Sequence, residues 1–304
     1  MARMILAGAR LIDGTGTPPV AGRAVVVEDG RITAVVGERE APSGTTLRLD
    51  GLTLLPGLVN CHVHLCFSGE ADPAAVMLRE SHATTVINAV QRARQTVEAG
   101  VTTVRDLGGR DYAELAVRDA IGQGLIPGPR TLCAGRGICI TGGHGWHVIG
   151  READGPDEVR KAVREQIKAG ADVVKLFATG GVMTPGVEPN AAQLTLDEVR
   201  AAIEEARKAG RRTAAHAQGT DGIANCLEAG ITTIEHGIFL TEALCQRMAR
   251  DGVALVPTLI APHAIAAGGV AAGIPEFAVR KSLAVRDRHT ESFRLALRRG
   301  TPAA

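Results

Sequence analysis

Pro56-Gly57-Leu58-Val59-Asn60-Cys61-His62-Val63-His64 closes an apolar run with two histidines spaced two residues apart. In an extended strand, residues i and i+2 project from the same face, so His62 and His64 present both imidazoles to one point. Such convergence of ring nitrogens is a metal-binding arrangement. The stretch also marks a boundary, because the sequence has a different rhythm on its two sides.

Before it, residues 4–55 read as short strands: Ile5-Leu6-Ala7, Ala24-Val25-Val26-Val27 and Ile32-Thr33-Ala34-Val35-Val36, with a turn at Glu28-Asp29-Gly30. The pattern predicts a small antiparallel, β-sandwich-like sheet over residues 1–55. After it, apolar strands alternate with helical stretches, the rhythm of βα units around a parallel sheet. The strand candidates are 58–64, 101–106, 131–138, 172–178, 212–217, 231–236 and 253–258. Glycine follows a helical run in Glu98-Ala99-Gly100, Lys168-Ala169-Gly170, Lys208-Ala209-Gly210 and Glu228-Ala229-Gly230, where a helix must stop before the next strand. The fold class expected for residues 56–304 is α/β, a (β/α)8-type TIM barrel without its eighth strand, since the last helix, 276–299, leaves only Thr301-Pro302-Ala303-Ala304.

The bulk properties narrow the partners. With 304 residues and 45% hydrophobic content, the chain can bury a large core. Lys plus Arg (34) nearly cancel Asp plus Glu (33), and aromatic residues are 2%, so neither the charge nor the stacking platform for nucleic acid is present. A small-molecule substrate is expected instead. Arg3, Arg10 and Asp13 interrupt the N-terminal apolar pattern and no apolar run reaches membrane-spanning length, so the expectation is a cytoplasmic protein without membrane partners. The six cysteines lack CxxC spacing, which argues against both a disulfide framework and a thiolate zinc site. An uncovered edge of the N-terminal sheet would permit pairing with a second copy, so a homo-oligomer is among the expected partners.

Candidate functional residues fall at the carboxyl ends of the predicted strands, the face on which barrel enzymes carry their sites. His62 and His64 end the first strand, Lys175 lies in the fourth, His216 ends the fifth and His236 ends the sixth. Any one histidine alone reads more readily as a hydrogen-bonded core or rim residue than as a ligand. The coincidence of position across four strands favours a shared site. Lys175, in Asp172-Val173-Val174-Lys175-Leu176-Phe177, is the most discriminating. An amine directed into a barrel mouth is pushed toward its neutral form, which can react with carbon dioxide to give an anionic carbamate. The competing reading is a lysine whose stem is buried and whose head reaches water.

Three stretches carry a family resemblance: Thr102-Thr103-Val104-Arg105-Asp106-Leu107-Gly108-Gly109, Thr141-Gly142-Gly143-His144-Gly145, and Lys175-Leu176-Phe177-Ala178-Thr179-Gly180-Gly181-Val182-Met183-Thr184-Pro185. With the order HxH, lysine, histidine, histidine, the chain resembles the amidohydrolase superfamily, in its imidazolonepropionase-related and Xaa-Pro dipeptidase-like branch. The resemblance implies a metal-dependent hydrolase of amide or other C–N bonds in a dipeptide, N-acyl amino acid or cyclic amide. It implies two divalent metals, with zinc the default: His62 and His64 on one, His216 and His236 on the other, and Lys175 as N6-carboxylysine between them. Two such cations roughly 3.5–4 Å apart would make a hydroxide nucleophile at neutral pH.

His144, in a glycine-rich loop, is the substrate-binding candidate, with a non-contacting lid histidine as the competing reading. Gln218 stands where the resemblance implies a further histidine. Asp106 is expected to organise a turn, and Glu235, adjacent to His236, is expected to face away from the mouth. The resemblance also implies an aspartate in a Gly-Thr-Asp motif at the end of strand eight, beyond Ala304. No catalytic acid–base residue is therefore assigned, and the chain is expected to be truncated and weak or inactive alone. The alternative is a non-catalytic homologue that binds metal or ligand. A non-metal barrel with structural histidines is the third reading.

Overall fold

Valine, isoleucine and alanine alternate along the N-terminal strands, and that period of two gives a sheet with one buried face. The structure, a computed structural model, describes residues 3–304 and divides into two compact units, one ending at Leu58 and the other spanning Val59–Ala304. In the first unit β1 (Arg3–Ala7), β2 (Arg10–Leu11), β3 (Arg23–Glu28), β4 (Arg31–Gly37), β5 (Thr45–Arg48) and β6 (Thr53–Leu54) form a four-stranded sheet, ordered β4-β3-β1-β5, and a separate β2-β6 pair. The β3–β4 hairpin turns through Asp29 (φ 49°) and Gly30 (φ 75°), both left-handed, as a tight two-residue hairpin turn requires. Ile5, Ala7, Ala24 and Val26 are its buried core. The expected antiparallel sheet is corrected in one respect: β5 runs parallel to β1, with Leu6 opposite Leu47.

The second unit is built from β7 (Leu58–Val63), α1 (Pro73–Arg79), α2 (His82–Glu98), β8 (Val101–Asp106), α3 (Ala113–Gly122), β9 (Arg130–Cys133), β10 (Gly137–Cys139), β11 (Gly150–Glu152), α4 (Pro156–Ala169) and β12 (Val173–Phe177). It continues with α5 (Leu196–Lys208), β13 (Arg212–Ala217), α6 (Thr220–Ala229), β14 (Thr233–His236), α7 (Glu242–Asp251), β15 (Ala254–Val256), α8 (Ile260–Gly268) and α9 (Glu276–Arg298). Strand order is β7-β8-β9 in one sheet and β11-β10-β12-β13-β14-β15 in the other, an α/β arrangement of parallel strands. The single third strand expected over 131–138 is broken in two. Gly135 adopts φ 72° and Arg136 gives its N–H to the Gln166 side chain, so the ladder stops after β9 and resumes at β10. At the other edge Pro302 and Ala304 pair through their backbones with Leu255 of β15.

Helix boundaries follow local chemistry. Ser81 caps α2, Thr241 caps α7, and Thr195 forms a capping box with Glu198 at α5. Gly170 (φ 100°) ends α4 in a conformation that an L side chain resists. Helices α4, α5, α6 and α7 press Val159, Val163, Val199, Ile203, Ile223 and Met248 against Val174, Leu176 and Ile234. Those strand residues alternate with Lys175, Phe177, Thr233 and Glu235, which therefore lie on the opposite face of the strands. Among the described residues, no helix is long and apolar enough to cross a membrane.

The capping box gives a direct test of this local reasoning. Thr195→Ala removes the hydroxyl that accepts from the Glu198 N–H and is expected to destabilise the protein by about 1 kcal/mol. Urea unfolding should show a lower midpoint at an unchanged m-value.

Candidate active site

Strand register assembles the site. Phe177 lies opposite His216, and His216 lies opposite Glu235, so these three side chains share one face across β12, β13 and β14. Lys175, two residues before Phe177, shares it too. His62 and His64 at the end of β7 have ring centroids 5.3 Å apart, and His62 is 5.0 Å from His236. His236 is 4.5 Å from His216, which is 4.2 Å from His144. The six residues proposed from sequence are thus brought together.

Each imidazole is held through one nitrogen. His64 Nδ1–H donates to the Gly108 carbonyl at 2.8 Å, and His216 Nε2–H donates to the Gly180 carbonyl at 2.9 Å. A carbonyl can only accept, so these tautomers are determined. His62 Nδ1 meets Glu235 Oε2 at 2.9 Å, and His236 Nδ1 meets Thr258 Oγ1 at 2.6 Å. His144 Nδ1 meets Thr184 Oγ1 at 2.9 Å. Among the described residues the second nitrogen of each of these rings makes no hydrogen bond; Nε2 of His62 and His64 and Nδ1 of His216 are therefore available lone pairs, while the Thr184 and Thr258 hydroxyls, which donate or accept, leave either tautomer open to His144 and His236.

Glu235 is the functional residue that sequence reasoning placed wrongly. Expected to face away, it is fully buried beside His62, and its other oxygen accepts from Arg105 Nη2 at 2.8 Å and Thr233 Oγ1 at 2.6 Å. The reason is the backbone of its neighbour. His236 has φ 74°, so strand alternation ends there and its ring turns back toward the site while Glu235 keeps the inward parity of His216. Register with His216 would have revealed this; alternation from His236 could not. Asp106 behaves as expected of a turn organiser, accepting the N–H groups of Leu65 at 2.7 Å and Gly108 at 3.0 Å.

Lys175 sits among these rings with 1% exposure, and its Nζ has no hydrogen-bond partner among the described residues. Burial pulls its pKa down to about 7, from an ordinary value near 10.5. That shift corresponds to roughly 5 kcal/mol against the ammonium form. The Phe177 ring lies 5.4 Å from Nζ. Gln218 is also buried, and its Oε1 likewise lacks a partner.

The donor set suits a divalent metal in kind: neutral imidazoles, three of them in defined tautomers, a carboxylate behind one of them, and an orphaned amine between. It does not enclose one as it stands. Among the described residues, no three His, Cys, Asp or Glu side chains are drawn together closely enough to hold an ion. The fit therefore depends on Lys175, whose amine is the unsatisfied group at the centre.

Polar side chains collected at the carboxyl ends of parallel strands define the class as a TIM-barrel-like α/β protein. The chain belongs to the amidohydrolase family, whose profile matches residues 53–303. It is 30% identical over 328 residues to ochratoxinase of Aspergillus niger, an alignment covering 97% of this chain. The chain spans 66% of the length of that curated relative. A prolidase solved with N-methylphosphonate-L-proline superposes with a TM-score of 0.92 at 31% identity, covering 100% of this chain and 78% of its own. A Xaa-Pro dipeptidase with methionine bound in its active site gives 0.90 at 29%, with the same coverage. The expected Xaa-Pro dipeptidase-like resemblance is thereby met.

Burial also sets a pH dependence. It holds His64 down to about 4 and His144 down to about 3, and puts His62, His216 and His236 well below 6.5. The unfolded chain therefore takes up protons below about 6.5 that the folded chain refuses, and stability falls as pH drops toward 4. Asp106, raised to about 7 by burial, and Glu114, raised by the same cause, act in the opposite sense. A variant isolates one ring from these opposing terms. In chelator-treated protein, His144→Asn should make unfolding free energy fall less steeply between pH 6.5 and 4, by about 1.4 kcal/mol per pH unit at most. Equal slopes from urea titrations of the two proteins would contradict the buried neutral ring.

Proposed function

We propose that this chain carries the metal centre of a hydrolase acting on an amide or other C–N bond of a small molecule: a dipeptide, an N-acyl amino acid or a cyclic amide. The observation that supports it best is Lys175, a buried amine with no partner at the meeting point of five imidazoles. In its neutral form the amine attacks carbon dioxide, forms an N–C bond and releases one proton, leaving an N6-carboxylysine with two oxygen donors. His62 and His64 would offer Nε2 to one cation, and His216 Nδ1 and His236 Nε2 to a second, with the Lys175 carbamate shared. Zinc is the default for this imidazole-rich set. When bound, such a pair supplies an acidified water and a polarised substrate carbonyl.

The chain's own residues do the positioning. Glu235 keeps the proton of His62 on Nδ1, and the Gly108 and Gly180 carbonyls do the same for His64 Nδ1 and His216 Nε2. Glu235 is already engaged by Arg105, Thr233 and His62, which makes it an orienting group rather than a proton carrier. With Thr184 Oγ1–H donating to Nδ1, His144 would carry its proton on Nε2 and donate it to a substrate carbonyl or carboxylate. The neighbours' small-molecule ligands, N-methylphosphonate-L-proline and methionine, agree with a substrate of this size.

The test begins with metal content. Protein grown with zinc and bicarbonate should hold at least one equivalent of zinc, and Lys175→Ala should lose zinc and any turnover of a panel of Xaa-Pro dipeptides and N-acyl amino acids. Acetate or propionate, which can place a carboxylate in the vacated space, should restore part of both. Wild-type protein holding less than one equivalent would defeat the metal reading. Full zinc occupancy without turnover in a protein that also carries the Gly-Thr-Asp strand would leave a ligand-binding homologue in its place.

A further inference from the structure

The buried face of α9 (Glu276–Arg298) carries polar residues where a packing helix ordinarily carries apolar ones. Lys281, 2% exposed, directs its three protons to three main-chain carbonyls: Gly181 at 3.3 Å, Thr184 at 2.8 Å and Val187 at 2.5 Å. His289, 1% exposed, donates Nε2–H to the His236 carbonyl at 2.9 Å. Ser292 Oγ donates to the Ile238 carbonyl at 2.6 Å, and Arg288 Nη2 to that of Leu240 at 2.7 Å. Two loops are therefore held by their acceptors from one helix.

Those loops orient three of the site imidazoles. The 180–187 segment supplies the Gly180 carbonyl that holds His216 and the Thr184 hydroxyl that holds His144 and accepts from the Gly145 N–H. It passes so close to His144 that a Cβ on Gly181 would stand 2.5 Å from the ring. The 236–240 segment begins with His236 at φ 74°, a left-handed conformation that a non-glycine residue resists. Such a conformation persists only where its surroundings over-determine it. His289 bonds the carbonyl of that same residue, and Val182 and Ile238 from the two loops meet Ala278 and Val285 of α9 in one apolar cluster. Apolar residues in place of Lys281 and His289 would leave four buried or part-buried carbonyls without these donors.

We propose that α9 is a clamp on the two site loops and that Lys281 and His289 are positioning residues, setting where His144, His216 and His236 stand without touching substrate. The inference rests on the metal-centre reading for its functional meaning and on the geometry of the two loops for its existence.

Zinc affinity, read by competition with a chromophoric chelator, tests the first. Lys281→Met and His289→Phe should each weaken binding by about tenfold, within the 10–100-fold span of outer-layer changes. His289→Gln, which keeps a donor for the His236 carbonyl, should bind within about threefold of wild type. Affinities of both disruptive variants within about threefold of wild type, or a glutamine variant as weak as the phenylalanine one, would overturn the proposal. Hydrogen exchange tests the second without metal. Amides of residues 180–187 should exchange about tenfold faster in Lys281→Met, and those of 236–240 in His289→Phe; unchanged rates overturn the clamp. Absence of zinc binding by wild-type protein, together with these exchange changes in the variants, would refute the metal reading and leave the clamp standing. Should either variant fail to fold, Ser292→Ala removes a single donor, and unchanged exchange at 238–240 in that protein counts against the clamp.

Discussion

A lysine amine buried without a hydrogen bond is the constraint around which this site is organised. Removing the Lys175 ammonium from water is opposed by roughly 5 kcal/mol, which a stable fold tolerates poorly unless the amine is neutral or converted. The surrounding groups offer little to an ammonium. Five imidazoles held neutral by burial and the Phe177 ring face it, and Glu235, the nearby carboxylate, already serves Arg105, Thr233 and His62. An anion made at Lys175 would meet lone pairs too, and needs cations between. Lysine, imidazoles and metal are therefore one proposal rather than three.

Much of this was legible in the chain because the relevant signals are short in range. The apolar runs ending in His62, His64, His216 and His236 show both the strand and the end of it where the side chain emerges. Glycines after helical runs show where each unit turns, since φ near 100° at Gly170 is a local requirement. What was illegible depends on pairing. Glu235 was assigned outward by alternation from His236, and only its register opposite His216 reveals the shared face. The parallel placement of β5 beside β1, and the break between β9 and β10, are likewise set by partners far along the chain.

The same limit applies to α9, whose helix is legible over 276–299 but whose buried polar face is not. Lys281, Arg288, His289 and Ser292 are polar, and polar residues on a surface helix ordinarily face solvent. Their burial becomes sensible only when loop carbonyls are found opposite them, and loop backbone has no signature in the helix's own residues.

Strain and its containment then connect the helix to the chemistry. His236 and Thr258 both adopt left-handed backbone, at φ 74° and 51°, and they hydrogen-bond to each other at 2.6 Å. Neither conformation is favoured locally, so the pair must be held from outside. His289 bonds the His236 carbonyl from one side, while Gly237, itself at φ 62°, lets the chain leave the strand immediately afterward. An ordinary extended residue at 236 would send its ring away from His216 and leave Glu235 as the lone side chain of β14 at the site. The price of a bent strand end is thus the means by which one strand contributes two consecutive residues, an orienting carboxylate and an imidazole, to the same centre.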